Sequence, residues 1–398
     1  MSIFPSRLSV VVSTLALWGL MLQITSAQNR PAASTAKDPV EAANLEFALS
    51  DAELDALKGQ TFDILLKTGK KETGVTLQDF LRSKQLRDRF RSMEFTLADQ
   101  KKSRKIPSEL IFQLEFEDKV YLVAYLPTQK YHVLVDVAQR DASIATRLED
   151  EGYAVWEKIS TEDQTKYVAE EKVFVDKVKA HFSKLPMQLV ETQYFLVLSD
   201  MPPAQLNPYL KQLDQMSELL GQAFGYQPGH NIWRGKAVVV AFIAQESFLE
   251  FEEALMENPL DPDMYQGYCH WFEDGRVVVG ICRGNSPEHL GTLMVHETSH
   301  GYLHRYKSSV VIPNWLNEGV ADWISAIVVP ASKSVQNVQR AAVQRLQQTG
   351  TLGEDFFSAD NIELWQYGVA SGMVQMLVKA NPAQFQLFFN GGVAQTLL

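Results

Sequence analysis

The stretch that most constrains this chain is LMVHETSHGYLHRY, at residues 293–306. It places His296, His300 and His304 four residues apart, and Glu297 follows the first of them directly. Side chains four residues apart lie on one face of an α-helix. The stretch therefore predicts a helix with a histidine-bearing face. Other elements must satisfy those rings, because burying an imidazole without a partner is costly.

Residues 296–300, HETSH, form an HExxH pattern, which is typical of a zinc site. Both of its imidazoles can reach one ion, and neutral imidazole suits Zn²⁺. Glu297 is turned toward the open coordination position, where it can move a proton from the attacking water to a leaving group. His304 lies about 12 Å from His296 along the helix axis, too far to bind the same ion. The alternative is a helix whose histidines only pack or hydrogen-bond.

A second stretch, IPNWLNEGVADWI at 312–324, contains a candidate for the third protein ligand that a catalytic zinc requires. Pro313 and Asn314 indicate the start of a helix, and Glu318 follows within its first turns. A carboxylate at this point completes a set of two histidines and one glutamate. Asp322 is one turn later on the same face, where it can accept the distal N–H of a ligating histidine. We expect one zinc ion per chain.

The HExxH pattern, a gap of seventeen residues and a glutamate within WLNEGVADW together resemble the gluzincin zinc metallopeptidases. The chain is more specifically similar to the bacterial peptidase MA-like domain, over residues 190–390. The resemblance implies that His296, His300 and Glu318 bind zinc, and that Glu297 is the general base and acid.

The same resemblance implies roles for two further residues. Asp322 would support a ligand histidine. Tyr367, within LWQYGVASGMV, would stabilise the oxyanion that forms on the scissile carbonyl. The alternative for Tyr367 is a buried core tyrosine.

Hydrophobic patterning along the chain predicts an α+β protein. Residues 28–57 are a polar lead-in, and strand-like runs in 58–160 predict a small α+β or β-rich domain. An amphipathic helix is expected over 161–185, as a connection to a zinc domain at 186–398. We expect that domain to contain a small mixed sheet and the HExxH helix, as the gluzincin resemblance implies.

Residues 1–27 have the pattern of a secretory signal peptide, in which Arg7 precedes an apolar run and small residues follow it. The run is short for a bilayer span of about 20 residues. We therefore expect cleavage and a secreted or periplasmic protein without a stable membrane span; an uncleaved anchor is the alternative. The net charge of −11 argues against nucleic-acid binding, which requires clustered Lys and Arg.

The two cysteines, Cys269 and Cys282, flank the segment CHWFEDGRVVVGIC, which predicts a β-hairpin. A two-residue turn that begins at Gly275 would place them directly opposite each other. In an exported protein we expect them to form a disulfide. Two free buried thiols, or a different register, are the alternatives.

These patterns predict an exported zinc metallopeptidase that acts on a peptide or protein substrate. One alternative is a catalytically inactive zinc-binding envelope protein that serves in binding or scaffolding. Glu297 argues against it, because a purely structural site needs no base. Another alternative is a zinc hydrolase that acts on a non-peptide amide, which the sequence does not separate from a peptidase. A propeptide role for residues 28–185 is also open.

Overall fold

The computed structural model describes residues 44–68, 70–85, 87–97, 102–116, 119–284, 287–353 and 355–380, together with 385 and 389. The predicted signal peptide at 1–27 lies outside the described residues, as does the first part of the lead-in. The chain divides into two compact units between Ile144 and Ala145, ahead of the boundary expected after residue 160. The α+β class is confirmed, since an antiparallel sheet region precedes a mixed sheet with helices.

The N-terminal unit is an antiparallel sheet that follows one short helix. The helix is α1 (Asp51–Ala56), and the strands are β1 (Thr61–Leu66), β2 (Lys71–Arg82), β3 (Phe90–Thr96), β4 (Ser103–Pro107), β5 (Ile111–Glu115), β6 (Val120–Leu126) and β7 (Tyr131–Asp136). Their order is β2-β1-β5-β6-β7-β3-β4, and β2 also pairs with β3. The extra pairing closes six of these strands into a ring, which encloses an apolar core that includes Phe62, Phe90 and Phe95.

The C-terminal unit is built on a five-stranded mixed sheet. The boundary between the units falls within α2 (Val137–Asp150). The strands of the C-terminal unit are β8 (Gln188–Glu191), β9 (Phe195–Ser199), β10 (Ala237–Phe242), β11 (Gly267–Trp271) and β12 (Val277–Cys282). Its later helices are α3 (Thr161–His181), α4 (Pro203–Ala223), α5 (Gln245–Leu255), α6 (Pro287–Arg305), α7 (Asn314–Val328), α8 (Ser334–Thr349) and α9 (Leu364–Ala380). No helix in the described part of the chain has the length and apolar character that a bilayer crossing requires.

The composition of the central strands explains why helices cover both faces of this sheet. The strand order is β11-β12-β10-β9-β8, and β12, β10 and β9 run parallel. Every residue of β10 and β12 is buried, as expected for parallel strands covered on both sides. One face packs against α3 and α5, from which Val178, Phe248 and Phe251 contribute to the core. The opposite face packs against α6.

Helix α6 lies close to the β11–β12 hairpin because glycines leave room for it. A Cβ at Gly301 would overlap Val277 and lie 3.2 Å from the Sγ of Cys269. A Cβ at Gly267, on β11, would lie 2.9 Å from the Cγ of Glu297. These two glycines set the distance between the HExxH helix and the edge strand of the sheet.

The predicted disulfide between Cys269 and Cys282 is wrong, because both cysteines are free and buried. Cys269 pairs with Val279 across the hairpin, and the backbone N–H of Cys282 donates to Gln266. Successive side chains of a strand point to opposite faces of the sheet. Cys269 accordingly faces Gly301 on α6, whereas Cys282 packs into the core beside α5.

The turn of the hairpin accounts for this error. The backbones of Phe272 and Arg276 are hydrogen-bonded, so the loop between them has three residues, and Gly275 is its last. Gly275 has φ of 82°, the left-handed conformation that closes a three-residue hairpin loop. The partner of Cys269 is therefore three positions from the predicted one, and an odd shift turns the side chain to the other face.

A buried carboxylate on α3 gives the C-terminal unit a specific pH dependence. Glu171 is 1% exposed, and its Oε2 has no hydrogen-bond partner among the described residues. The nearest cation is Arg234, with Nη1 at 3.5 Å from Oε1. Burial raises the pKa of Glu171 to about 7, although Arg276 and Arg234 act in the opposite direction.

We predict that Glu171→Gln increases stability at pH 8 and changes it little at pH 4.5. The folded protein holds the Glu171 proton up to pH 7, whereas the unfolded chain releases it near 4.5. The associated stability of about 3 kcal/mol is present below pH 4.5 and lost as the pH rises through 7. Thermal unfolding at both pH values measures the difference. Asp176→Asn, at an exposed position of the same helix, is the control. An equal Tm shift for Glu171→Gln at both pH values would contradict the account.

Candidate metal centre

Helices α6 and α7 bring together His296, His300 and Glu318. The Nε2 of His296 lies 3.2 Å from Oε2 of Glu318, and the Nε2 of His300 lies 3.7 Å from the same oxygen. One ligand atom from each residue lies within 4.8 Å of the others. Two ligands of a tetrahedral zinc ion stand roughly 3.4 Å apart. The three side chains are therefore a possible metal site, and the two nitrogen–oxygen separations are close to that value.

Local sequence explains why Glu318 faces the histidines. Pro313 precedes α7, and its carbonyl accepts from the backbone N–H groups of Leu316 and Asn317. The helix therefore begins at Asn314, which places Glu318 in its second turn. On α6 the rings of the two histidines are one turn apart, with centroids at 4.9 Å and planes at 86°. The nearly perpendicular rings let both Nε2 atoms converge on one point.

Two hydrogen-bond acceptors on α7 orient the histidine rings through their Nδ1 atoms. The Nδ1 of His296 lies 3.1 Å from Oδ1 of Asp322, and the Nδ1 of His300 lies 3.0 Å from Oδ1 of Asn317. When each Nδ1–H donates to its acceptor, the lone pair of Nε2 points toward Glu318, as metal binding requires. The sequence predicts the role of Asp322 but not that of Asn317. The available signal was its position directly before the glutamate ligand.

The electrostatics of the site favour a cation. The side chains of His296, His300 and Glu318 are 17%, 10% and 14% exposed. Burial lowers the pKa of His296, but hydrogen bonds to Asp322 and Glu318 outweigh it and hold that pKa well above its usual value. Burial raises the pKa of Glu318. The hydrogen bond from His296 and the charges of the two histidines lower it by more, so the pKa lies below its usual value. In a metal-bound state, His296 would give up its proton and Glu318 would pair with the ion in place of that proton.

Glu297 is directed toward β11 and is not one of the grouped donor residues. Its Cγ lies where a side chain at Gly267 would have to go. Burial, followed by the charge of Glu297, raises the pKa of the Cys269 thiol on the same strand. The Glu297 side chain therefore lies against the edge strand, one residue along α6 from His296.

Tyr367 is half-buried on α9, close enough to the site for the carboxylates there to act on the pKa of its hydroxyl. Burial raises its pKa, and the charges of Glu318, Asp322 and Glu297 raise it further. Its hydroxyl therefore stays protonated at neutral pH. Close packing of α9 on α7 brings it there, since a Cβ at Gly319 would lie 2.9 Å from the backbone of α9.

His304 lies outside the cluster of donor residues, although it shares their helix. Its ring packs between Trp156 and Trp271, with centroids at 5.8 and 5.3 Å. Burial lowers its pKa to about 4. The backbone carbonyl of His304 accepts from Nε1 of Trp156 at 2.8 Å. This histidine is a packing residue.

No protein-family model matches this chain, and no curated protein matches it in sequence. The similarity to gluzincins therefore depends on the motif residues.

We predict that Asn317→Ala weakens metal affinity about 10–100-fold, as loss of an orienting partner typically does. The ring of His300 would be free to turn its Nε2 away from Glu318. Competition against a chromophoric chelator measures the affinity. His304→Ala is the matched control on α6, and its metal affinity should equal that of the wild type. Unchanged affinity in Asn317→Ala would show that this contact does not orient the ligand.

Proposed function

We propose that this protein is a zinc-dependent peptidase, with one zinc ion bound by His296, His300 and Glu318. The observation that carries the proposal is a compact donor set of two histidines and one glutamate beside Glu297, a carboxylate outside that set. Two imidazoles and one carboxylate suit Zn²⁺, whereas Mg²⁺ and Ca²⁺ prefer sets of oxygen ligands. The motif resemblance to gluzincins adds support.

The bound zinc would supply Lewis acidity, which polarises a scissile carbonyl and makes water more acidic. Glu297 takes the proton of the attacking water and returns it to the leaving amine. The location of Glu297 against β11 keeps this residue outside the set of metal ligands. Tyr367 donates its O–H to the carbonyl oxygen as negative charge develops there. The raised pKa of Tyr367 supports this role, because only the protonated phenol can donate.

A peptide substrate is supported by the edge of the mixed sheet. β11 is the end strand, and among the described residues only β12 pairs with it. An extended peptide can add to such an edge through main-chain hydrogen bonds. Gly267 places this edge directly beside Glu297. These features favour a peptide over a non-peptide amide, and the signal-peptide pattern at 1–27 supports action outside the cytoplasm.

We predict that Glu297→Gln lowers kcat by about 10²–10⁴-fold and leaves zinc content unchanged, because the amide cannot accept the proton. A fluorogenic peptide library measures turnover, and elemental mass spectrometry measures zinc. Glu253→Gln, an exposed change on α5, is the control.

Two outcomes would contradict the proposal. Full turnover in Glu297→Gln would remove this residue as the base. A zinc-loaded wild type that cleaves no member of the library would instead favour the inactive zinc-binding protein.

A further inference from the structure

On the face of β11 opposite the metal site, a buried glutamate of α5 bonds to a histidine of the strand. Glu252 is 0% exposed, and its Oε2 lies 2.7 Å from Nε2 of His270. Asn258 holds the same carboxylate, since its Nδ2 donates to Oε2 at 3.1 Å. Gly280 on β12 leaves space for the group, because a Cβ there would overlap Oε1.

This polar pair lies against an apolar core. Phe248, Phe251 and Val278 belong to the cluster on this face of the sheet. Apolar residues of similar volume often stabilise such a position as well as a buried polar pair does, whereas loss of one partner is strongly destabilising. Stability alone therefore does not account for the pair. A buried polar contact can instead specify the register of neighbouring elements.

The register of β11 determines which of its side chains face α5 and which face α6. Tyr268 and His270 face α5, while Gly267 and Cys269 face α6. A slip by two residues would present Tyr268 or Phe272 to the glutamate. Phe272 has no hydrogen-bond donor, and the hydroxyl of Tyr268 lies farther from its backbone than Nε2 of His270 does, so neither reproduces the contact.

The same slip would change the residue beside Glu297. Cys269 or Tyr265 would replace Gly267, and both carry the Cβ that Gly267 lacks. A Cβ at that point would lie 2.9 Å from Cγ of Glu297. The register that satisfies Glu252 is therefore also the register that leaves room for the Glu297 side chain.

We infer that Glu252 and His270 are positioning residues, whose hydrogen bond fixes the register of β11 and thereby the place of the Glu297 carboxylate. The inference rests on the proposed function in one respect, namely that Glu297 is the general base. The register itself is independent of that function.

The test compares two changes of the pair. Glu252→Leu combined with His270→Phe removes the polar contact without leaving a buried charge. His270→Gln keeps an N–H donor the same number of bonds from Cβ. We expect the double variant to keep its zinc content and Tm but to lose kcat by about 10-fold or more, since small misplacements of a catalytic group are costly. His270→Gln should retain the wild-type kcat and KM, and in the double variant KM should change less than kcat.

Cys269 supplies a readout that does not require activity. It is 5% exposed and faces α6, on the same side of β11 as Gly267. In a Cys282→Ala background, alkylation by iodoacetamide reports only on this thiol. We expect alkylation about 10-fold faster in the double variant than in the parent or in His270→Gln, because a displaced strand exposes the thiol.

Equal protection of Cys269 in all three proteins overturns the inference, whether or not the wild type cleaves peptides. Faster alkylation with unchanged kcat in an active enzyme also overturns it, because the register would then not control Glu297. If the wild type cleaves no peptide and the thiol is exposed only in the double variant, the role of the pair in register stands and the proposed peptidase function fails.

Discussion

The fixed orientation of two imidazoles is the constraint on which the whole site depends. His296 and His300 share one face of α6, but a helix alone does not aim their rings. Helix α7 does so, because Asp322 and Asn317 lie at the two Nδ1 atoms while Glu318 faces both Nε2 atoms. Helix α7 thus supplies one residue of the possible metal site and both orienting acceptors. The packing of α6 on α7 therefore creates the geometry of the possible metal site.

Close contacts at glycines connect these two helices to neighbouring helices on one side and to the sheet on the other. Gly319 and Gly368 allow α7, α9 and α8 to approach at backbone distance, which brings Tyr367 within electrostatic range of the site. Gly301 and Gly267 bring α6 down onto the β11–β12 hairpin. Glu297 then lies where the helical layer meets the edge of the mixed sheet. The proposed role of Glu297 as a base on an extended peptide depends on this location.

The elements of the site could be predicted because their signals are local. Histidine spacing and the helix start at Pro313 are enough to predict that Glu318 and Asp322 lie on a helix that faces the histidines. The role of Asn317 depends on the rotation of the His300 ring, which tertiary packing sets. The hairpin register depends on the loop conformation at Gly275, and the closure of the N-terminal ring depends on pairing between distant strands. Such features are not specified by periodicity within one segment.

We propose that these two helices together form one metal site. Its most direct test is the metal content of the purified protein, measured by elemental mass spectrometry beside His300→Ala. We expect about one zinc ion per chain in the wild type and its loss in the variant, because two remaining ligands do not hold the ion. A wild type that takes up no zinc after reconstitution would contradict it. Equal zinc in both proteins would also contradict it, because the metal would then bind elsewhere.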